Sequence, residues 1–301
     1  MAAEMIQTFT HDPGYQTFTI HVGDWVNNGD NEWDWSSKFF NPIYNNIHYF
    51  QANMPINGCK GNHEGTGYIY NKYWEYWPYP YVNGHYWSFD YGPAHIVIVD
   101  QYAQHRYAPS SPQYSWLVKD LIETNKKWKF IVFHEPGWTA KTYLGNSEVR
   151  TYIQPLCEQL GVDIVFAGHK HFYARAEVNG VQHITTGGGG APLYNPDTDV
   201  PYIQSAEKAL HFCKVDIQDN KLNFESKRLD GSTIDTFSLI KKDVDEQSNI
   251  SPFITIIDPS ANNITANKSY TITWIDYDPD TNASISLYYS PINSTQMQFN
   301  R

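Results

Sequence analysis

The 301-residue chain is short of cysteine, of basic residues and of long apolar runs, and each shortage narrows what it can be. Three cysteines, Cys59, Cys157 and Cys213, are too few and too scattered for a disulfide framework. No C-x-x-C pair offers a thiolate zinc cluster. Cysteine usage therefore leaves the redox compartment open. Lys and Arg total 21 against 32 Asp and Glu, a formal net charge of −11. A protein that grips a phosphate backbone carries a basic stripe, so nucleic acid is disfavoured as a partner. Acidity does not exclude a phosphorylated substrate, because bound cations reverse the field locally. No apolar run approaches the roughly 18 residues that cross a membrane. The opening MAAEMIQTF lacks the basic and then apolar regions of a signal peptide, an absence that decides nothing about export. What the chain does have is a 41% hydrophobic content, ample for a packed core.

The pattern alternates helix and strand, then turns to strand. Ala2 to His11 reads as a short helix, Thr17 to Val22 as a strand leading into Gly23-Asp24, and Trp33 to Gln51 as a second helix. Pro55 to Asn57 reads as a short strand before Gly61-Asn62-His63-Glu64. A stretch crowded with Tyr and Trp follows, from Tyr68 to Trp87. Strands are expected at Tyr86 to Asp90, His95 to Asp100, Lys129 to Phe133 and Asp163 to Phe166, with helices at Gln113 to Asn125 and Val149 to Leu160. Strands continue at His171 to Val178, Val181 to Thr186, His211 to Ile217, Leu222 to Ser226 and Thr233 to Leu239. The expected fold class is α/β, a mixed β-sandwich flanked by helices. Residues 1–240 form that domain, the charged stretch 241–252 is a linker, and 253–301 begin an immunoglobulin-like β-sandwich too short to be whole.

Four short motifs fall at the ends of expected strands, where α/β folds gather ligands. They are Gly23-Asp24, Gly61-Asn62-His63-Glu64, His134-Glu135-Pro136 and Gly168-His169-Lys170-His171. A carboxylate bridges two cations, imidazoles suit transition metals, and an Asn carbonyl fills a further position. A lone Gly-Asp is usually a turn, and a lone buried His is usually a satisfied core residue. All four in this order make a metal site the stronger reading. Gly187 to Gly190 lacks the GK[ST] ending and following helix of a P-loop.

Taken together, GD, GNHE, HEP and GHKH, with WSFDYGPAHIVIVD and TTGGGGAPLY, resemble the calcineurin-like metallophosphoesterase superfamily, and within it bacterial proteins of the purple acid phosphatase kind. The likeness covers Ala2 to Leu239. It implies that Asp24 bridges two metals, that Asn62, His134 and His169 complete one site, and that His171 belongs to the other. It implies a role for His63 beside the scissile phosphate, with Glu64 orienting it. It also implies two divalent or trivalent ions (Fe, Zn or Mn) and a metal-activated water.

Two departures stand out. The family's opening strand with its Asp motif is expected upstream of Gly23-Asp24, yet the only acids there are Glu4 and Asp12. The fold is thus expected to lack its first strand, and the second metal to be held weakly by Asp24, His171 and Asn27. Asn27 occupies the position of the metal-binding Tyr of purple acid phosphatases. The expected function is hydrolysis of phosphate mono- or diesters on a small molecule or surface, outside the cell or in the periplasm. The competing expectation is a catalytically degenerate scaffold in a secreted binding or adhesion protein.

Overall fold

The central strands are apolar and buried on both faces, so the sheet they build must be covered on each side, whereas the outer antiparallel strands alternate. The computed structural model describes residues 1–10, 17–74, 86–102, 107–109, 111–141, 145–242, 253–258, 271–277, 286–289 and 297–300. After a helix at Ala2–Thr10, strands β1 (Thr19–His21) and β2 (Ile56–Gly58) pair in parallel. Then come β3 (Trp87–Tyr91), β4 (Ala94–Ile98), β5 (Trp128–Val132), β6 (Ile164–Ala167), β7 (Tyr173–Val178), β8 (Val181–Thr186) and β9 (Ile203–Glu207). These seven form one mixed sheet in the order β3-β4-β5-β6-β8-β7-β9, in which β4, β5, β6 and β8 run parallel. Strands β10 (His211–Gln218), β11 (Lys221–Arg228) and β12 (Thr233–Ile240) make an antiparallel meander.

One face of the seven-stranded sheet carries Ile96, Ile98, Phe130, Val132 and Ile164, which pack with Leu222 and Phe224 of the meander. Phe18, Ile20 and Val22, around β1, join the same cluster. The opposite face lies under two helices. His95 reaches Asp120 of the helix Pro112–Glu123, and the Lys129 ammonium donates to the carbonyls of Leu121 and, in the helix Gln154–Leu160, of Leu160. Helices, mixed sheet and small antiparallel sheet therefore stack as layers, the α/β arrangement expected.

Two local expectations change. The single helix from Trp33 to Gln51 is broken into Glu32–Asp34, a π-helical turn Trp35–Phe39, and Asn45–Asn53. Pro42 explains the break, since it lacks a backbone N–H and drives Asn41 out of helical geometry. Val149–Ile153 is likewise a π turn, and the α-helical part begins at Gln154 with a proline in its first turn. Within the aromatic stretch Tyr68–Tyr73 is helical, while residues 75–85 lie outside the described ones.

The chain divides into two compact units, Met1–Lys241 and Lys242–Arg301. Nearly all of the expected linker, from residue 243 to 252, lies outside the described residues. In the second unit β13 (Phe253–Asp258) pairs antiparallel with β14 (Thr273–Tyr277), and β15 (Ser286–Tyr289) with β16 (Met297–Asn300).

Candidate metal centre

Parallel strands deliver their C-terminal ends to one rim of the sheet. Asp24 follows β1, Asn62 follows β2, His134 follows β5 and His169 follows β6. Although β1 and β2 form a separate pair, the His134 Nδ1–H donates to the Val22 carbonyl at 2.7 Å and ties the two sheets together.

Four side-chain atoms converge there. His134 Nε2 lies 3.0 Å from Asp24 Oδ2, 3.1 Å from Asn62 Oδ1 and 3.3 Å from His169 Nδ1. His169 Nδ1 is in turn 3.1 Å from Asn62 Oδ1. Among the described residues, Asp24, His134 and His169 are the one group of three His, Cys, Asp or Glu placed to share an ion. Since the His134 Nδ1–H is spent on Val22, Nε2 is the ring atom turned toward the cluster. The cluster thus holds more lone pairs than hydrogens to bridge them. Donors held at about 2.0–2.2 Å from one cation sit about 3.0–3.5 Å apart, which matches these separations. Two imidazoles with two oxygens form a set suited to Zn, Fe or Mn. The residues fit a metal ion.

Backbone strain is concentrated at the same point. Asp24 has φ 57° and His169 φ 63°, left-handed values that non-glycine residues rarely adopt. Each costs on the order of 1 kcal/mol, so the surrounding contacts must hold them. Glu64, fully buried, accepts the N–H groups of Asp24 at 2.9 Å, Trp25 at 2.8 Å and Gly61 at 2.7 Å. One carboxylate therefore fixes the turn after β1 to the turn after β2. Glycine is required where these turns touch: a β carbon on Gly23 would sit 2.5 Å from His134 Nδ1, and one on Gly61 would strike the Asp24 carboxylate.

Electrostatics match the geometry. Burial favours neutral Asp24, but the hydrogen bond and charge of His134 and the contacts from His63 hold its carboxyl below the ordinary range. Burial, then the neighbouring His134 and Lys170, push His169 down to about 4, leaving a neutral imidazole. His21, stacked on Trp25 at 4.1 Å, buries an Nδ1 with no hydrogen-bond partner among the described residues. Burial and His134 push it down to about 4 as well.

The remaining expected residues divide. The exposed His63 donates its backbone N–H to Asp24 Oδ1 at 3.0 Å, and its Nε2 lies 4.0 Å from Asp24 Oδ2. Its ring is oriented by the Asn27 carbonyl, 2.7 Å from Nδ1, and not by Glu64, whose oxygens accept from three backbone N–H groups. Asn27 thus meets the site through its backbone. His171 stands outside the convergent group, with Nδ1 2.9 Å from the Pro192 carbonyl and its ring stacked on Tyr194 at 4.4 Å. One contributor escaped sequence reasoning. Gln101, just beyond β4, accepts from the N–H groups of His134 at 3.0 Å and Glu135 at 2.5 Å. Its partners lie over 30 residues away in sequence, so no motif marks it.

The calcineurin-like phosphoesterase family model matches residues 4–173, more than half of the chain. The chain belongs to this family, and it is related to the purple acid phosphatases. It is 32% identical over 155 residues to purple acid phosphatase 21 of Arabidopsis thaliana, an alignment covering 44% of this chain and 35% of that one. A purple acid phosphatase of Glycine max is 29% identical over 167 residues, covering 50% and 36%. The chain therefore spans about a third of the length of the curated relatives it matches. Among solved structures, purple acid phosphatase PPD1 from yellow lupin (Lupinus luteus) seeds superposes with TM-score 0.68 at 20% identity, over 79% of this chain and 48% of that one. GAP50, the anchor in the inner membrane complex of Plasmodium, superposes with TM-score 0.61 at 18% identity, over 80% and 83%.

Proposed function

We propose that this protein is a metal-dependent phosphoric ester hydrolase, acting on mono- or diesters. The observation that carries the reading is the convergence of Asp24, Asn62, His134 and His169 at the strand ends. In this reading the four hold one ion, and Asp24 also faces a second, for which His171 and Asn27 are the candidate neighbours. Metal ions bound there supply Lewis acidity, activating water and drawing charge from the phosphate oxygens. Asp24 holds its carboxylate ionised through the contacts of His134 and His63. His169 presents a neutral imidazole, and His134 turns Nε2 toward the same point. His63, exposed at the rim and pinned by Asn27, directs Nε2 to the space beside Asp24, where it stabilises charge or gives a proton to the leaving oxygen. Glu64 keeps Asp24 in its strained conformation.

The motif likeness and the appended β module support an exported enzyme of the bacterial purple acid phosphatase kind, and the acidic balance favours a small-molecule or surface ester over nucleic acid as substrate. Among the described residues no helix is long and apolar enough to cross a membrane. A second reading, a scaffold without turnover, is favoured by the position of His171 outside the cluster. The likeness to GAP50, the anchor in the inner membrane complex of Plasmodium, fits it too. Hydrolysis of p-nitrophenyl phosphate and bis(p-nitrophenyl) phosphate, with Fe, Zn or Mn restored, separates the two. Metal-dependent turnover lost in His134→Ala supports the hydrolase. Metal binding without turnover of either ester supports the scaffold.

A further inference from the structure

Strand β5 pairs with β4 in parallel up to Val132, and the Val99 N–H donates to the Val132 carbonyl at 2.9 Å. Beyond that point the chain parts from β4, while on the other side the Phe133 N–H still donates to the Phe166 carbonyl at 3.1 Å and the His134 carbonyl accepts from Gly168 at 2.9 Å. On the β4 side the N–H groups of His134 and Glu135, just past β5, would then lack a strand partner, at a cost comparable to a lost hydrogen bond each where they are buried. Gln101 fills that gap. Its side-chain oxygen accepts from both N–H groups, and its Nε2 donates to the Glu135 carbonyl at 3.0 Å. The residue is 1% exposed, so no water competes for these bonds. A side chain from just beyond β4 here takes the place that a strand backbone would occupy.

The consequence reaches the donor atom. The ring of His134 is anchored at two points, its own backbone and the Val22 carbonyl on Nδ1. Val22 belongs to the β1 side, whereas Gln101 belongs to the β4 side. Gln101 therefore sets how far the imidazole reaches across from one sheet toward the other. The neighbouring residue braces the same rim: Asp100, fully buried, lies 3.5 Å from the Lys60 ammonium, one residue before Gly61 and two before Asn62. Tyr102 donates to the Glu135 carboxylate at 3.0 Å.

We infer that Gln101 is a positioning residue that fixes His134 for metal binding, so that its loss weakens metal affinity beyond any effect on the fold. The inference rests on the metal-site reading above. Gln154 offers a matched control, being 4% exposed and hydrogen-bonded to His183 and the Val178 carbonyl. Two readouts on the full chain test the inference. The first is affinity for Zn²⁺ or Co²⁺ by chelator competition, where Gln101→Met is expected to lose about tenfold or more, the effect typical of groups that orient a ligand, and Gln154→Met to change little. The second needs no metal: the His134 Nδ1–H signal in proton–nitrogen NMR of the apoprotein, expected to broaden in Gln101→Met and to persist in Gln154→Met. Gln101→Asn, which withdraws the same amide by one methylene, should fold and show intermediate losses, and it carries the test if the Met variant does not fold. Unchanged metal affinity and an unchanged His134 signal in the Gln101 variants would overturn the inference. Equal losses from Gln154→Met would also overturn it. A wild-type chain that binds no metal, but whose His134 signal responds to Gln101, would overturn the hydrolase reading and leave the positioning role standing.

Discussion

The two ends of the mixed sheet each bring histidine to carboxylate, with opposite results. At the N-terminal end of β4, His95 has Nδ1 2.7 Å from Asp90 Oδ1 and Nε2 2.8 Å from Asp120 Oδ2. Each ring nitrogen has its own carboxylate, and Ser88 donates to the other oxygen of Asp120 at 2.7 Å. That set is closed: a protonated ring satisfies every group. At the rim of Asp24, His134 and His169, two nitrogens and two oxygens face one another with too few hydrogens between them. The contrast teaches that nearness of His to Asp does not define a metal site. An unmatched surplus of lone pairs, held in place by strained backbone and buried clamps, does.

The sharpest way to break this contrast is to delete donors at each end. Asp24→Ala and His134→Ala should each lower metal affinity by more than about 100-fold, since even groups that merely orient ligands are worth 10–100-fold. His95→Asn should leave the metal content unchanged. Elemental analysis of the three variants checks both halves. If the chain is a hydrolase, His63→Ala should cost turnover on the order of 100-fold while metal content stays constant, the scale of a lost proton-transfer group. Equal loss of metal and turnover would make His63 a ligand instead.

Glu64→Ala strips the partner from three N–H groups at once and should destabilise the fold by about 3 kcal/mol in urea unfolding. A loss under about 1 kcal/mol would mean that the two turns hold themselves. The smallest effect is expected at the closed end. Burial disfavours charged His95, yet the hydrogen bonds it donates to Asp120 and Asp90 win and raise its pKa above 6.5. Its stabilisation is therefore complete below about pH 6.5 and fades as pH rises through the raised folded value. Thermal unfolding from pH 6 upward should show this decline in the wild type and a flatter profile in His95→Asn. Identical slopes would refute the clamp.

Much of this contrast was legible in the sequence, though unevenly. Strand β8 falls at Val181–Thr186 as expected, and the histidines and Asp24 come at strand ends because apolar runs stop at Gly-Asp, at His-Glu-Pro and at Gly-His. Strand β9, Ile203–Glu207, was not legible, since it is short and only partly buried and takes its place from pairing with β7. The kink at Pro42 was overlooked because the apolar spacing on either side continues. The work of Glu64 and Gln101 was hidden for a different reason. Apart from the bond of Glu64 to Gly61, both act on backbone groups 30 or more residues away, and a side chain's partner at that range is fixed by the fold and not by local pattern.

The central claim is that Asp24, Asn62, His134 and His169 together hold a metal ion. Metal content per chain, measured by elemental analysis after purification without chelator, tests it most directly in the wild type and His134→Ala side by side. The account predicts about one equivalent or more of Fe, Zn or Mn in the wild type, two if the paired centre forms, and close to none in the variant. Metal-free wild-type protein that stays metal-free when Zn²⁺ or Mn²⁺ is added, or equal metal in both proteins, would contradict it.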